Sequence, residues 1–136
     1  MTVDFRDLRV WEEAMRLAEA VYSLTGGFPA DERFGLAAQL KRAAVSVPSC
    51  IAEGNARGFT RDYLRFLSMA KGSLAEIQTQ LLLAQRLGIA PAERVDAVLQ
   101  QAGCVGMLLQ SLRRSLNLKL SQSSSSPFPI PHSRSF

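Results

Sequence analysis

Along residues 36–116 the apolar side chains return every three or four positions, a spacing that puts them on one face of an α-helix and on no face of a strand. Tyr63, Leu67, Ala70, Leu74, Ile77, Leu81 and Ala84 form one such seam. Ala37, Leu40, Ala44, Val47 and Ile51 precede it, and Val95, Val98, Ala102, Val105, Leu109, Leu112 and Leu116 follow. Strand signals are nearly absent. Gly and Pro punctuation at Gly26-Gly27-Phe28-Pro29, at Gly54 to Gly58 and at Gly88 to Pro91 cuts the chain into four helical pieces. Short connections between amphipathic helices favour antiparallel neighbours, so the predicted fold is an all-α, up-down-up-down four-helix bundle. Thr60 is placed to cap the third helix, Gly88 to close it, and Pro91 to open the fourth.

From Ser121 the period ends and the chain becomes Ser and Pro rich. This divides it into a bundle domain over residues 1–120 and a tail over residues 121–136 expected to be disordered. A length of 136 residues suits one domain. With 47% apolar residues, 21% charged residues and two Cys, the composition excludes a disordered chain, a disulfide scaffold and a collagen-like fibre. The longest apolar run is Leu81 to Ala84, and Asp4, Arg6 and Asp7 occupy the place of a signal-peptide apolar stretch. A cytoplasmic protein with no membrane partner is the expectation.

The first helix is apolar around more of its circumference than one core face requires. At 100° per residue Leu8, Val10, Trp11, Ala14, Met15, Leu17, Ala18, Val21, Tyr22 and Leu24 cover roughly 200°. Arg9, Glu12, Glu13, Arg16, Glu19 and Ser23 hold the rest. Two explanations fit: a second side buried against another subunit, for which Val10, Leu17, Val21 and Leu24 are the candidate oligomer face, or ordinary apolar surface.

Catalytic chemistry finds no footing in the helices. The one histidine, His132, lies in the tail, and no nucleophile with a nearby base can be assembled. Cys50 and Cys104 are far apart in sequence, sit in apolar helical surroundings and are expected to be buried free thiols. No catalytic residue, metal, cofactor or small-molecule substrate is therefore expected.

Specific information is concentrated in Ser46-Val47-Pro48-Ser49-Cys50-Ile51-Ala52-Glu53-Gly54-Asn55-Ala56-Arg57. A proline there deletes the bond to the Ala44 carbonyl, so a kink or a restart of the second helix is expected. With Phe5-x-x-Leu8-x-x-Trp11, Phe28-Pro29, Gln39-Leu40-Lys41-Arg42-Ala43 and Ala70-Lys71-Gly72-Ser73-Leu74-Ala75-Glu76, the stretch resembles the four-helix bundle family of 23S rRNA-intervening sequence proteins. That family is related to the accessory variability protein of diversity-generating retroelements. The resemblance covers residues 4–118. It implies a homopentamer and, through the retroelement branch, association with a reverse transcriptase and nucleic acid. Cys50 stands where the family pattern has Asn, and a thiol cannot reproduce the donors and acceptor of an amide.

If helices 2 and 3 reverse near residue 59, positions whose numbers sum to about 118 lie level, by helix geometry. Arg42 then faces Glu76, Ser46 lies level with Gly72, and Glu53 with Arg65. Small residues at Ala43, Ala44, Ser46, Gly72 and Ser73 would let the helices approach. Arg42, Ser46, Glu53, Ser73 and Glu76 thus form a candidate structural polar network, or else charges pointing to solvent.

Of 16 basic residues 13 are Arg, and charge is unevenly placed. Residues 1–40 hold four basic and seven acidic groups, residues 41–71 six and two. Bundle topology would gather Arg57, Arg61, Arg65, Arg113, Arg114 and Lys119 at one pole. Cations at the end of helix 4 suit its dipole, whereas Arg61 and Arg65 near the start of helix 3 oppose theirs. Either an anionic partner or pairing with Glu53 and Asp62 accounts for them. The resulting expectation is a non-enzymatic homo-oligomer associated with RNA or a reverse transcriptase; a protein-interaction scaffold without nucleic acid is the alternative.

Overall fold

The structure is a computed structural model in which residues 3–124 are described. Four helices follow in order: α1 (Arg9–Thr25), α2 (Leu36–Arg57), α3 (Thr60–Arg86) and α4 (Ala92–Ser124), with short 3-10 turns at Phe5–Asp7 and Ala30–Glu32. Each helix packs on its sequence neighbours, and α4 closes the bundle against α1. Side-chain bonds from Gln80 to Gln39 and from Ser73 to Ser46 show α2 and α3 running antiparallel. Gln85 to Asp96 does the same for α3 and α4, and Arg94 to Ser23 for α4 and α1.

The seams meet in one core. Leu17, Leu24, Leu40, Ile51, Leu67, Ile77, Leu81 and Leu109 are its largest fully buried side chains. Each contributes about 1.5–3 kcal/mol by leaving water. Every residue of the α2 seam is buried, as is every residue of the α3 seam except half-buried Tyr63 and of the α4 seam except half-buried Leu112.

Local stops follow from backbone chemistry. Gly58 at φ 80° ends α2, and Gly88 at φ 67° ends α3. At Gly88 the amides of Gly88 and Ile89 bond the carbonyls of Gln85 and Ala84, which satisfies two carbonyls that the helix end would leave open. Other ends differ from expectation. Phe59, with no side-chain cap, precedes α3, and Thr60 is its first residue. Pro91 stands just before α4, its carbonyl accepting from Arg94 and Val95. Pro48 neither splits nor restarts α2, which runs through it as one helix. One missing N–H is tolerated there because Pro48 is buried against the bundle along with Val47 and Ile51. Residues 121–124, expected in the tail, continue α4; the rest of the expected tail lies outside the described residues.

The tightest approach between α2 and α3 is at Gly54. A Cβ there would lie 2.8 Å from Phe66 Cβ and 3.0 Å from Tyr63 Cδ1. Gly72, one of the small residues expected to allow the approach, faces open space instead. Beside Gly54, buried Asn55 donates from Nδ2 to the Tyr63 hydroxyl at 3.5 Å. Burial pushes the Tyr63 phenol up from its ordinary 10.0, and the Asn55 bond partly offsets this.

Gly54→Ala is therefore expected to destabilise the bundle by about 1–3 kcal/mol in chemical denaturation, the usual cost of overpacking. Gly72→Ala should be neutral or stabilise by about 0.5–1 kcal/mol, the ordinary gain for Gly→Ala in an open helix position. A phenol whose native pKa is raised holds its proton more tightly when folded. Its contribution is full below pH 10.0 and is lost as pH rises through the raised value. Stability measured across that alkaline range should fall less steeply in Tyr63→Phe.

Candidate functional site

Helix α1 carries two apolar stripes. Val10, Leu17, Val21 and Leu24, the candidate oligomer face, are buried inside this chain's own core and are not available to a second subunit. The open stripe is Trp11, Met15, Ala18 and Tyr22, which repeats with the same helical spacing. Together with Val45, Pro48, Ser49 and Ala52 of α2 it lines an apolar groove of about 600 Å³, with Glu19 on its rim. Tyr22 is 51% exposed, and Lys41 Nζ lies 5.3 Å from its ring centre. At the groove's end Phe5 meets Trp11 edge-on, at 5.3 Å between ring centres. Asp4 accepts from the Arg6 amide and guanidinium, and those bonds hold its carboxyl down at about 2.

The polar network exists in part. Ser73 Oγ donates to Ser46 Oγ at 2.8 Å, and Gln80 Nε2 to Gln39 Oε1 at 3.3 Å. Both pairs sum to 119, within one residue of the expected register. Arg42 and Glu76 stand on the same cleft of about 180 Å³, but form none of the described ion pairs. Both are exposed, so water solvates each charge at little cost. Glu53 does not reach Arg65; its carboxylate pairs with Arg57 at 3.3 Å, one helical turn away. Gln80 Oε1 is buried without a hydrogen-bond partner. Cys50 is buried with its sulfur 3.7 Å from Ser46 Oγ, while Cys104 is only half-buried.

The basic pole separates into two groups. At the turn between α2 and α3, Arg57 and Arg65 flank the buried Phe66 ring, their guanidinium carbons 5.0 Å and 4.8 Å from its centre. Arg57 pairs with Glu53, and Arg65 with Asp62 at 3.7 Å. Of the two cations that oppose the α3 dipole, Arg65 thus follows the carboxylate explanation open from sequence, while Glu53 is taken up by Arg57. Arg61 is exposed nearby and takes part in none of the described ion pairs.

Arg113 and Arg114 face a different groove. They line a groove between α3 and α4 with Lys71, which at 1.5 Å per residue is about 16 Å along α3 from Thr60. Helix α4 is longer than its partners and runs past the level of the turn; the register of Gln85 with Asp96 and of Leu74 with Gly106 puts Arg113 and Arg114 level with residues 66–68 of α3, near the height of Arg65 but in a different groove. Lys119 is exposed nearer the pole. Lys71 escaped the sequence expectation because the pole was inferred from helix ends, and Lys71 belongs to none.

Among the described residues no group of three His, Cys, Asp or Glu side chains is placed to hold a metal ion. No described helix is long and apolar enough to cross a membrane.

A family model described as 23S rRNA-intervening sequence protein matches residues 6–111. No curated protein shows a significant match to the chain. The matched residues contain the α1–α2 groove, the Ser46–Ser73 bond and Lys71; Arg113, Arg114 and Lys119 lie beyond them.

Double-mutant cycles with Ala should separate contact from mere proximity. Ser46 and Ser73 are expected to couple by about 0.5–3 kcal/mol, as bonded residues do, whereas Arg42 and Glu76 should be additive within about 0.5 kcal/mol. Strong coupling of Arg42 to Glu76 in denaturation experiments would show that the two close into an ion pair.

Proposed function

Since the chain belongs to the 23S rRNA-intervening sequence protein family, we propose that it is a non-enzymatic, homo-oligomeric accessory protein that associates with RNA, alone or beside a reverse transcriptase. The observation that carries the assembly is the α1–α2 groove. Trp11, Met15, Tyr22 and Val45 leave a continuous apolar channel open although this chain has a complete core of its own. A chain that needed those side chains only for folding would bury them. A pentamer is the state that the family resemblance implies, and a closed ring repeats each subunit's surface around its rim.

Association with RNA is supported by the charge balance. Twelve acidic residues face 16 basic ones, and the cations of residues 61, 71, 113, 114 and 119 have no partner among the described ion pairs. Repetition of such a surface around an oligomer would strengthen a weak phosphate contact through avidity. The scaffold alternative draws on the same groove and differs only in having no use for the free cations. The non-enzymatic reading is supported by the side chains of the cleft beside Ser46 and Ser73, which are amides, hydroxyls and the separate charges of Arg42 and Glu76.

Size-exclusion chromatography with light scattering should give a mass near five chains. Met15→Glu with Tyr22→Glu should reduce it to one chain without loss of helical circular dichroism. A wild-type monomer at micromolar concentration overturns the assembly. Binding of labelled RNA should weaken steadily as salt rises; no binding at low salt would leave the scaffold reading.

A further inference from the structure

The groove between α3 and α4 holds a set of cations that neither the fold nor helix electrostatics explains. Its floor is opened by two glycines of α4. A Cβ at Gly103 would meet nothing within 4 Å, and one at Gly106 would touch only Leu74 Cδ2, at 3.4 Å. The result is a channel of about 540 Å³, floored by Leu74, Ala75 and Leu109 and edged by Gln78, Gln110, Lys71, Arg113 and Arg114. No carboxylate lines it. Lys71, Arg113 and Arg114 belong to none of the described ion pairs.

Two ordinary explanations fail here. A helix dipole favours cations within the last turn, but Arg113 and Arg114 lie well before the end of α4 at Ser124, and Lys71 is in the middle of α3. Solvation of an exposed charge accounts for Lys71 and Arg114, yet not for Arg113, whose Nε is buried without an acceptor. An unmet buried donor costs about 1–3 kcal/mol, more when charged, so Arg113 gains by turning its guanidinium to meet an oxygen anion in the groove.

The shape of the basic surface indicates what kind of anion. Gln110, Arg113 and Arg114 also line an adjoining hollow of about 350 Å³ with Asn117 and Leu118. Cationic and amide groups therefore continue along α4 toward Lys119, a track suited to a chain of anions more than to one carboxylate. No aromatic ring lines either hollow, so bases have no stacking platform there. Contacts to phosphates, with Gln78 and Gln110 offered to ribose hydroxyls, are what these side chains can make.

We infer that the α3–α4 groove, and not the turn between α2 and α3, holds the phosphodiester backbone of RNA through Lys71, Arg113 and Arg114, independently of base sequence. This rests on the RNA reading above and locates it.

The test is fluorescence anisotropy of a labelled uridine 20-mer and a labelled adenosine 20-mer on the full chain across a salt series. Circular dichroism and light scattering monitor the fold and assembly of each variant. Lys71→Gln with Arg114→Gln, both exposed in the wild type, should weaken both RNAs about tenfold. The same variant should reduce the log–log salt slope by about 0.7 for each phosphate that the groove no longer neutralises. Gly103→Phe fills the channel with no change of charge and should also weaken both. Arg57→Gln with Arg65→Gln should leave affinity and slope near wild type.

Equal weakening in the turn variant would reduce the effect to general charge attraction and overturn the assignment. So would wild-type affinity in the groove variants, while leaving RNA association intact. Failure of the wild type to bind either RNA at low salt overturns the RNA reading and this site with it. Displacement of RNA by polyglutamate at equal charge concentration would make an acidic protein segment the occupant.

Discussion

The approach of α2 to α3 is the constraint on which the rest of this bundle depends. Gly54 lets the helices close against Phe66 and Tyr63 near their turn, and the Ser46–Ser73 bond keeps them level farther along. Around those points the interface is made of small and medium side chains, Ala43, Ala44, Val47, Ala70 and Ile77, with little volume to absorb a slip. A shift of one residue would carry Ser46 away from its partner and drive Phe66 past the glycine. Once this pair is set, α1 and α4 can close the core only by laying one stripe each against it. The stripes left over become the surface.

That division explains why the two open grooves differ in chemistry. The α1–α2 groove inherits the second apolar stripe of α1 and has a single carboxylate on its edge. The α3–α4 groove inherits Lys71, Arg113 and Arg114 over a floor thinned by glycine. They belong to opposite helix pairs of a four-helix arrangement, so an oligomer formed through the first need not cover the second. Cations at the turn behave differently because carboxylates and the Phe66 ring already engage them. The distinction that matters for function is whether a cation has a partner, and a count of charge by segment cannot supply it.

Much of the fold was legible in one dimension. Seams at three and four spacing located α2, α3 and α4, and Gly88 closed its helix as left-handed geometry requires. The register of α2 on α3 was legible to within one residue because a two-residue connection at Gly58 and Phe59 leaves no freedom in how the helices return. Other features were not legible. Both stripes of α1 repeat with helical spacing, so choosing Val10, Leu17, Val21 and Leu24 as the free face was a choice between equivalent patterns. Pro48 read as an interruption because propensity counts the lost bond and not the burial that outweighs it. Counting helix ends gathered Arg113 and Arg114 at the pole but could not show which groove they line, and it passed over Lys71.

The sequence by itself determined that this chain makes helices, how many, where α2 and α3 stop, and that they close around a single apolar core. Those outcomes depend on interactions a few residues long, such as periodic burial, caps and positive-φ glycines, and their spacing is written in the chain. Only the tertiary structure decided which stripe of α1 is covered, which cations are neutralised and where a groove stays open. These are settled by neighbours distant in sequence, and the energies that separate the alternatives come from contacts that exist only after the helices have packed.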